Sequence, residues 1–128
     1  MEEKKKKYLT LNDIEAYRIA FALSNNVWNT VVKWEYFSKK TIGAQFVDAI
    51  DSISANIAEG FGRYNKKDKI RFYRISCGSL FESLDWNEKS HRRNLLSEEE
   101  YNHIFSELQK LPKAINSLIN FTDAKLNI

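Results

Sequence analysis

Ser52–Glu82 reads SISANIAEGFGRYNKKDKIRFYRISCGSLFE, and this stretch decides the fold. Ile53, Ile57 and Ala58 lie at helical spacing up to Gly60, so a helix ends there. Gly60 fits the left-handed position that closes a helix, Gly62 allows a second bend, and Phe61 between them is a plug against the helix end. Asn65 is a good N-cap, and Asp68 sits at the third helical position behind it. From there Ile70, Tyr73, Cys77, Leu80, Leu84 and Asn87 keep a three-four spacing, which predicts a second helix loaded with basic residues.

Upstream, helix B is expected from about Lys39 to Glu59, with Ile42, Phe46, Ile50, Ile53 and Ile57 as its buried stripe. Ser38 is its candidate cap, after a polar break at Phe37–Lys40. Helix A is expected from Thr10 or Asn12 to about Tyr36. Ile14, Tyr17, Phe21, Trp28 and Val31 form its stripe, widened by Ala20, Val27 and Trp34, so helix A meets two neighbours, or a neighbour and another subunit. Residues 1–9, with Lys4 to Lys7 in a row, read as a flexible basic tail.

Downstream, helix C continues to His91–Asn94, with Phe72, Ser76, Ser79, Ser83 and Trp86 as a second stripe. Gly78 inside it costs about 1 kcal/mol relative to alanine, which points to close approach of another backbone. Ser97 with Glu100 is a capping box that starts helix D. Tyr101, Ile104, Leu108, Leu111, Ile115 and Leu118 follow in strict order, and the pattern runs through Pro112, which predicts a kink rather than a break. Residues 123–128 are expected to fray. Four amphipathic helices with short connections over 10–122 predict one all-α domain, an antiparallel up-down-up-down four-helix bundle.

Composition narrows the function. The 128 residues carry a net charge of only +3, but the charge is polarised. Residues 61–75 hold Arg63, Lys66, Lys67, Lys69, Arg71 and Arg74 against Asp68 alone, while residues 79–107 hold seven acids against three basic residues. A single cysteine, Cys77, allows no internal disulfide and suits a reducing, cytoplasmic location. No apolar run reaches the length of a membrane span, so no membrane partner is expected. There is no phosphate-binding GxxxxGK[ST] loop and no GxGxxG. His91 and His103 are the only histidines. Glu88–His91 and Glu100–His103 have the di-iron spacing, but no facing carboxylates stand at core positions of helices A and B. Cys77 sits on an apolar stripe without a base. No metal, cofactor or catalytic residue is therefore expected, and the chain reads as a non-enzyme.

Two groups of residues remain. Asn56, Glu59, Gly60, Gly78 and Ser79 are expected to bolt helices B and C together. In that arrangement Glu59 pairs with Arg71 or Arg74, and Asn56 meets Ser76 or Ser79. Arg63, Lys66, Lys67, Lys69, Arg71 and Arg74 form a basic corner for nucleic-acid phosphates, with Tyr64 and Tyr73 offering rings on which bases could stack.

The same stretch resembles the signature of the 23S rRNA-intervening-sequence proteins, roughly S-I-x-x-N-I-A-E-G-x-x-R and then R-F-x-x-I-A-x-G-S-x-x-E. Ser52, Ile53, Asn56, Ile57, Ala58, Glu59, Gly60, Arg63, Arg71, Phe72, Ile75, Gly78, Ser79 and Glu82 fall on it. The chain departs at Ser54, where many relatives have proline, and at Ser76, where many have alanine. The resemblance implies a homopentameric barrel of four-helix bundles. It also implies kinship with the accessory variability determinant protein of diversity-generating retroelements, a basic pentamer that binds nucleic acid and a reverse transcriptase. The expected function is non-specific binding of RNA or DNA through the basic corner. The alternative is a protein-interaction scaffold with an unidentified protein partner.

Overall fold

The helices begin where the sequence supplies acceptors for the first orphan N–H groups. A computed structural model describes residues 10–125. The basic tail expected at 1–9 and the last three residues, 126–128, lie outside the described residues. Thr10 and Asp13 form a capping box around a 3-10 turn, Leu11–Asp13, that leads into α1, Glu15–Val31. α1 stops five residues short of the expected Tyr36 because Glu35 starts the next helical segment. The Glu35 carboxylate accepts the backbone N–H groups of Phe37 at 3.0 Å and Ser38 at 2.8 Å. Glu35, not Ser38, is therefore the cap, and the polar break expected at Phe37–Lys40 is helical. Tyr36–Ser38 passes through a π-helical turn, Lys39–Gly43, into α2, Ala44–Phe61.

α3, Lys66–Arg92, starts as expected: the Asn65 side-chain oxygen accepts the Asp68 N–H at 2.8 Å. α4, Glu98–Lys125, starts on the reciprocal Ser97–Glu100 box, with bonds of 2.9 and 3.0 Å. α4 runs unbroken through Pro112 and stays helical through Lys125, past the expected fraying point.

Each helix packs on two others. α2 lies against α1 and α3, and α4 lies against α3 and α1, which closes a four-helix bundle. The stripe expected for helix B is buried as read: Ile42 in the π-helical turn, then Phe46, Ile50, Ile53 and Ile57 of α2. So are Ile104, Leu108, Leu111 and Ile115 of α4. Two stripes are rotated from expectation. α1 buries Ala16, Ala20, Leu23, Val27 and Val31, leaving Phe21 51% and Trp28 55% exposed. α3 buries Tyr73, Ser76, Leu80, Ser83, Asn87 and Ser90, with Ile70, Cys77 and Leu84 at its edge. Small serines there let the other helices close over it.

Of the residues expected to bolt α2 to α3, Gly60 alone is placed at the contact; the Ser79 carbonyl accepts Ser83 Oγ of its own helix at 2.8 Å. Glu59 pairs with Arg63 on its own helix end at 2.7 Å, and Asn56 donates to the Ser52 carbonyl at 2.8 Å. Glu59 is exposed and its ion pair is with Arg63, not with Arg71 or Arg74. The bond that crosses is Ser76 Oγ to the Ile53 carbonyl, 2.8 Å and buried. Gly60 is inside α2 rather than beyond it, and none of the described glycines has a positive φ. Its role is close approach: a Cβ there would stand 2.7 Å from Tyr73 Cε1 and 2.9 Å from the Lys69 carbonyl oxygen. Gly62 is the C-cap.

Gly78 has no such neighbour; among the described residues, and apart from the adjoining backbone of α3, nothing lies within 4 Å of its missing Cβ. The other backbone expected there is not found among the described residues. Gly78→Ala is therefore expected to stabilise the single chain by about 1 kcal/mol through helix propensity. The urea midpoint in dilute solution measures it; an unchanged or lower midpoint contradicts it.

Burial raises the Tyr73 phenol to about 12, offset in part by the Thr122 hydroxyl. An unfolded phenol titrates near 10. The folded chain thus prefers the neutral form, and that preference is complete below about pH 10 and lost as pH rises from about 10 to 12. Stability is expected to fall across that window. Tyr73→Phe should flatten the fall, as followed by denaturant midpoints at stepped pH.

Candidate nucleic-acid interface

The six basic residues of the corner fall into two sets. Arg63 is engaged by Glu59 at 2.7 Å and lies over the Phe72 ring, 4.7 Å from its centroid. Lys66 donates to the Asp123 carbonyl at 3.1 Å, with the Asp123 carboxylate at 3.4 Å, tying the start of α3 to the end of α4. Lys69 donates to the Phe61 carbonyl at 2.6 Å and sits over the Phe61 ring. It caps the end of α2, where helix carbonyls lack partners. Its partial burial holds its ammonium below the usual lysine range. These three cations hold the corner together.

Lys67, Arg71 and Arg74 make up the other set. They are exposed, lie on one face of α3 and have no ion-pair partner among the described residues. The Arg71 guanidinium also lies over the Phe72 ring, 4.5 Å from its centroid, so a flat support carries it. They edge a concavity of about 690 Å³ between α3 and the end of α4, floored by Ile70 and Ile75 and including Asp68 and Asp123. Arg74 also lowers the Cys77 thiol, but burial outweighs it and leaves that thiol above its usual range, which is unsuited to nucleophilic work.

Tyr64, 79% exposed at the corner, is available for stacking; Tyr73, 1% exposed, is not. Tyr73 is consumed as the wall against which Gly60 packs.

A second surface was missed in the sequence because its residues were read as core. Tyr17, Phe21 and Trp28 of α1 face Asp51, Ala55 and Ala58 of α2 across an open concavity of about 320 Å³. Tyr17 and Phe21 stack at 5.7 Å. The competing spacing, Ala16, Ala20, Leu23, Val27 and Val31, was the signal: small and branched residues pack inward more closely than Trp28 could.

The model of the family described as 23S rRNA-intervening sequence protein matches residues 12–117. The chain belongs to that family. The matched segment of this intervening-sequence family member starts in the 3-10 turn and spans most of α4. The fold is similar to that of a solved protein of unknown function from the S23 ribosomal protein family of Bacteroides thetaiotaomicron. The two share 19% identity and a TM-score of 0.71, over 80% of this chain and 96% of that one. No curated protein matches the chain. Among the described residues of this family member, no helix is long and apolar enough to cross a membrane.

Proposed function

We propose that this chain is a non-enzymatic, oligomeric helical bundle of the cytoplasm that binds RNA or DNA through phosphate contacts, without sequence preference. The observation that carries this is the unpaired, outward set Lys67, Arg71 and Arg74 beside the exposed Tyr64 ring. Phosphate contacts need cations whose charge is not already neutralised, and a nearby aromatic ring adds sequence-tolerant stacking. Arg63, Lys66 and Lys69 add to the local potential from behind rather than by contact.

The assembly proposed is an antiparallel up-down-up-down bundle in a homopentameric ring. Lys66 meets Asp123 while Glu88 meets Tyr101, which supports opposite directions for α3 and α4. The uncovered aromatic face of α1 supports a further subunit in contact with it. Kinship with the accessory variability determinant protein belongs to the same proposal and would bring with it both a ring and a nucleic-acid partner.

Filter binding of single-stranded RNA and duplex DNA at about 50 and 200 mM salt tests the reading. Three phosphate contacts on a duplex should weaken affinity about 40-fold across that range. No affinity at the lower salt would remove the reading. The scaffold alternative, a ring presenting a surface to a partner protein, is favoured by the aromatic concavity between α1 and α2, and it gains if nucleic acid does not bind.

A further inference from the structure

Gly78 marks the centre of an uncovered face of α3 whose residues mirror one another in charge. At 100° per residue, Lys67, Arg71, Arg74, Gly78, Glu82 and Asp85 all fall within about 40° of one outward line. Ile75 and Phe81 flank Gly78 symmetrically, three residues to either side, and are 42% and 64% exposed. Counting outward from Gly78, apolar Ile75 matches apolar Phe81, Arg74 matches Glu82, and Arg71 matches Asp85.

We propose that a second copy of this chain packs its α3 antiparallel against this face, with a two-fold axis at Gly78. Such an axis places each residue opposite its mirror position, because an isologous contact is self-complementary. Arg74 then meets Glu82 of the second copy, Arg71 meets Asp85, and Ile75 meets Phe81, each contact occurring twice. Gly78 faces Gly78, and the missing side chains let the two helix backbones approach closely at the crossing. A parallel pairing would set Arg71 against Arg71 and Asp85 against Asp85, so the charge order selects the antiparallel one.

The acids on this face are partly engaged at home. Asp85 takes Lys89 at 2.7 Å and Glu82 takes the Trp86 indole N–H at 3.4 Å. Both are exposed contacts one helical turn apart, weak enough to be shared, and a carboxylate has lone pairs for a second donor. Lys67 and Lys89 would be opposed at the ends, where both reach solvent. The pairing does not rest on the nucleic-acid reading. It leaves the aromatic face of α1 uncovered. It also covers Arg71 and Arg74, so the paired face and a bound phosphate backbone exclude each other.

Gly78→Cys in a Cys77→Ser background tests the axis, since position 78 opens to solvent and accepts a Cβ. Mild oxidation of the full chain is expected to give a disulfide dimer, twice the 15.0 kDa of one chain, because the proposed axis sets residue 78 beside its copy. In sedimentation, Arg74→Glu should weaken pairing at least tenfold, and Arg74→Glu with Glu82→Arg should restore it. A monomeric thiol at 78 in a chain that still sediments as an oligomer overturns the pairing while sparing the ring. Failure of the double exchange to restore association also overturns it.

Discussion

Gly60→Ala is expected to destabilise the bundle by about 1–3 kcal/mol, the range for adding a methyl group to a filled interior. For a chain of this size that corresponds to a melting temperature lower by roughly 3–5 °C per kcal/mol. Alanine is the better helix former, which opposes the loss by about 1 kcal/mol. The clash outweighs it because neither neighbour can give. Tyr73 is buried against α2, and the Lys69 oxygen is backbone of α3, 2.9 Å from the new carbon. Relief requires α2 and α3 to separate, which also strains the Ser76–Ile53 bond. Gly62→Ala is the control: its Cβ would meet the Glu59 carbonyl at an ordinary 3.6 Å. Urea midpoints followed by circular dichroism should separate the two, and equal midpoints would refute the close-contact role of Gly60.

The triple variant Lys67→Ala/Arg71→Ala/Arg74→Ala should lose most nucleic-acid affinity, at least tenfold at low salt. The slope of log affinity against log salt should shrink by about 2.7 on duplex DNA, some 0.9 for each lost phosphate contact. Alanine favours the helix, and all three side chains are exposed, so the fold should survive. Arg63→Ala offers the contrast. It breaks an exposed pair with Glu59, so it should leave the slope nearly unchanged. If the two variants bind alike, the division between corner-holding and outward cations is wrong.

The fold was legible where one periodicity stood alone. The α2 and α4 stripes, the Asn65 cap and the Ser97–Glu100 box are found where the sequence puts them. It was misread where two stripes overlapped on one helix. In α1 the larger aromatic residues suggested a core, yet volume favours Ala16, Ala20 and Leu23 inside and Trp28 outside. The candidate site was legible as a cluster of charge but not as two sets. Which cations are free depends on Asp123, far along the chain, and on the Phe61 carbonyl, a backbone atom with no side-chain signature. The glycines show the same limit. Sequence marks both Gly60 and Gly78 as places without a side chain; only the packing tells which faces Tyr73 and which faces open space.

The π-helical turn at Lys39–Gly43 bears on how the chain tolerates changes in length. A π turn closes i→i+5 bonds and so holds one residue more than the α repeat that follows it. Removing a single residue from that turn can return it to α geometry while Phe46, Ile50, Ile53 and Ile57 stay on their face. A deletion within Ala44–Phe61 would instead turn everything on one side of it by about 100° and break the stripe. Relatives whose first interhelical connection is one residue shorter can therefore keep the same core, with the gap falling at this turn.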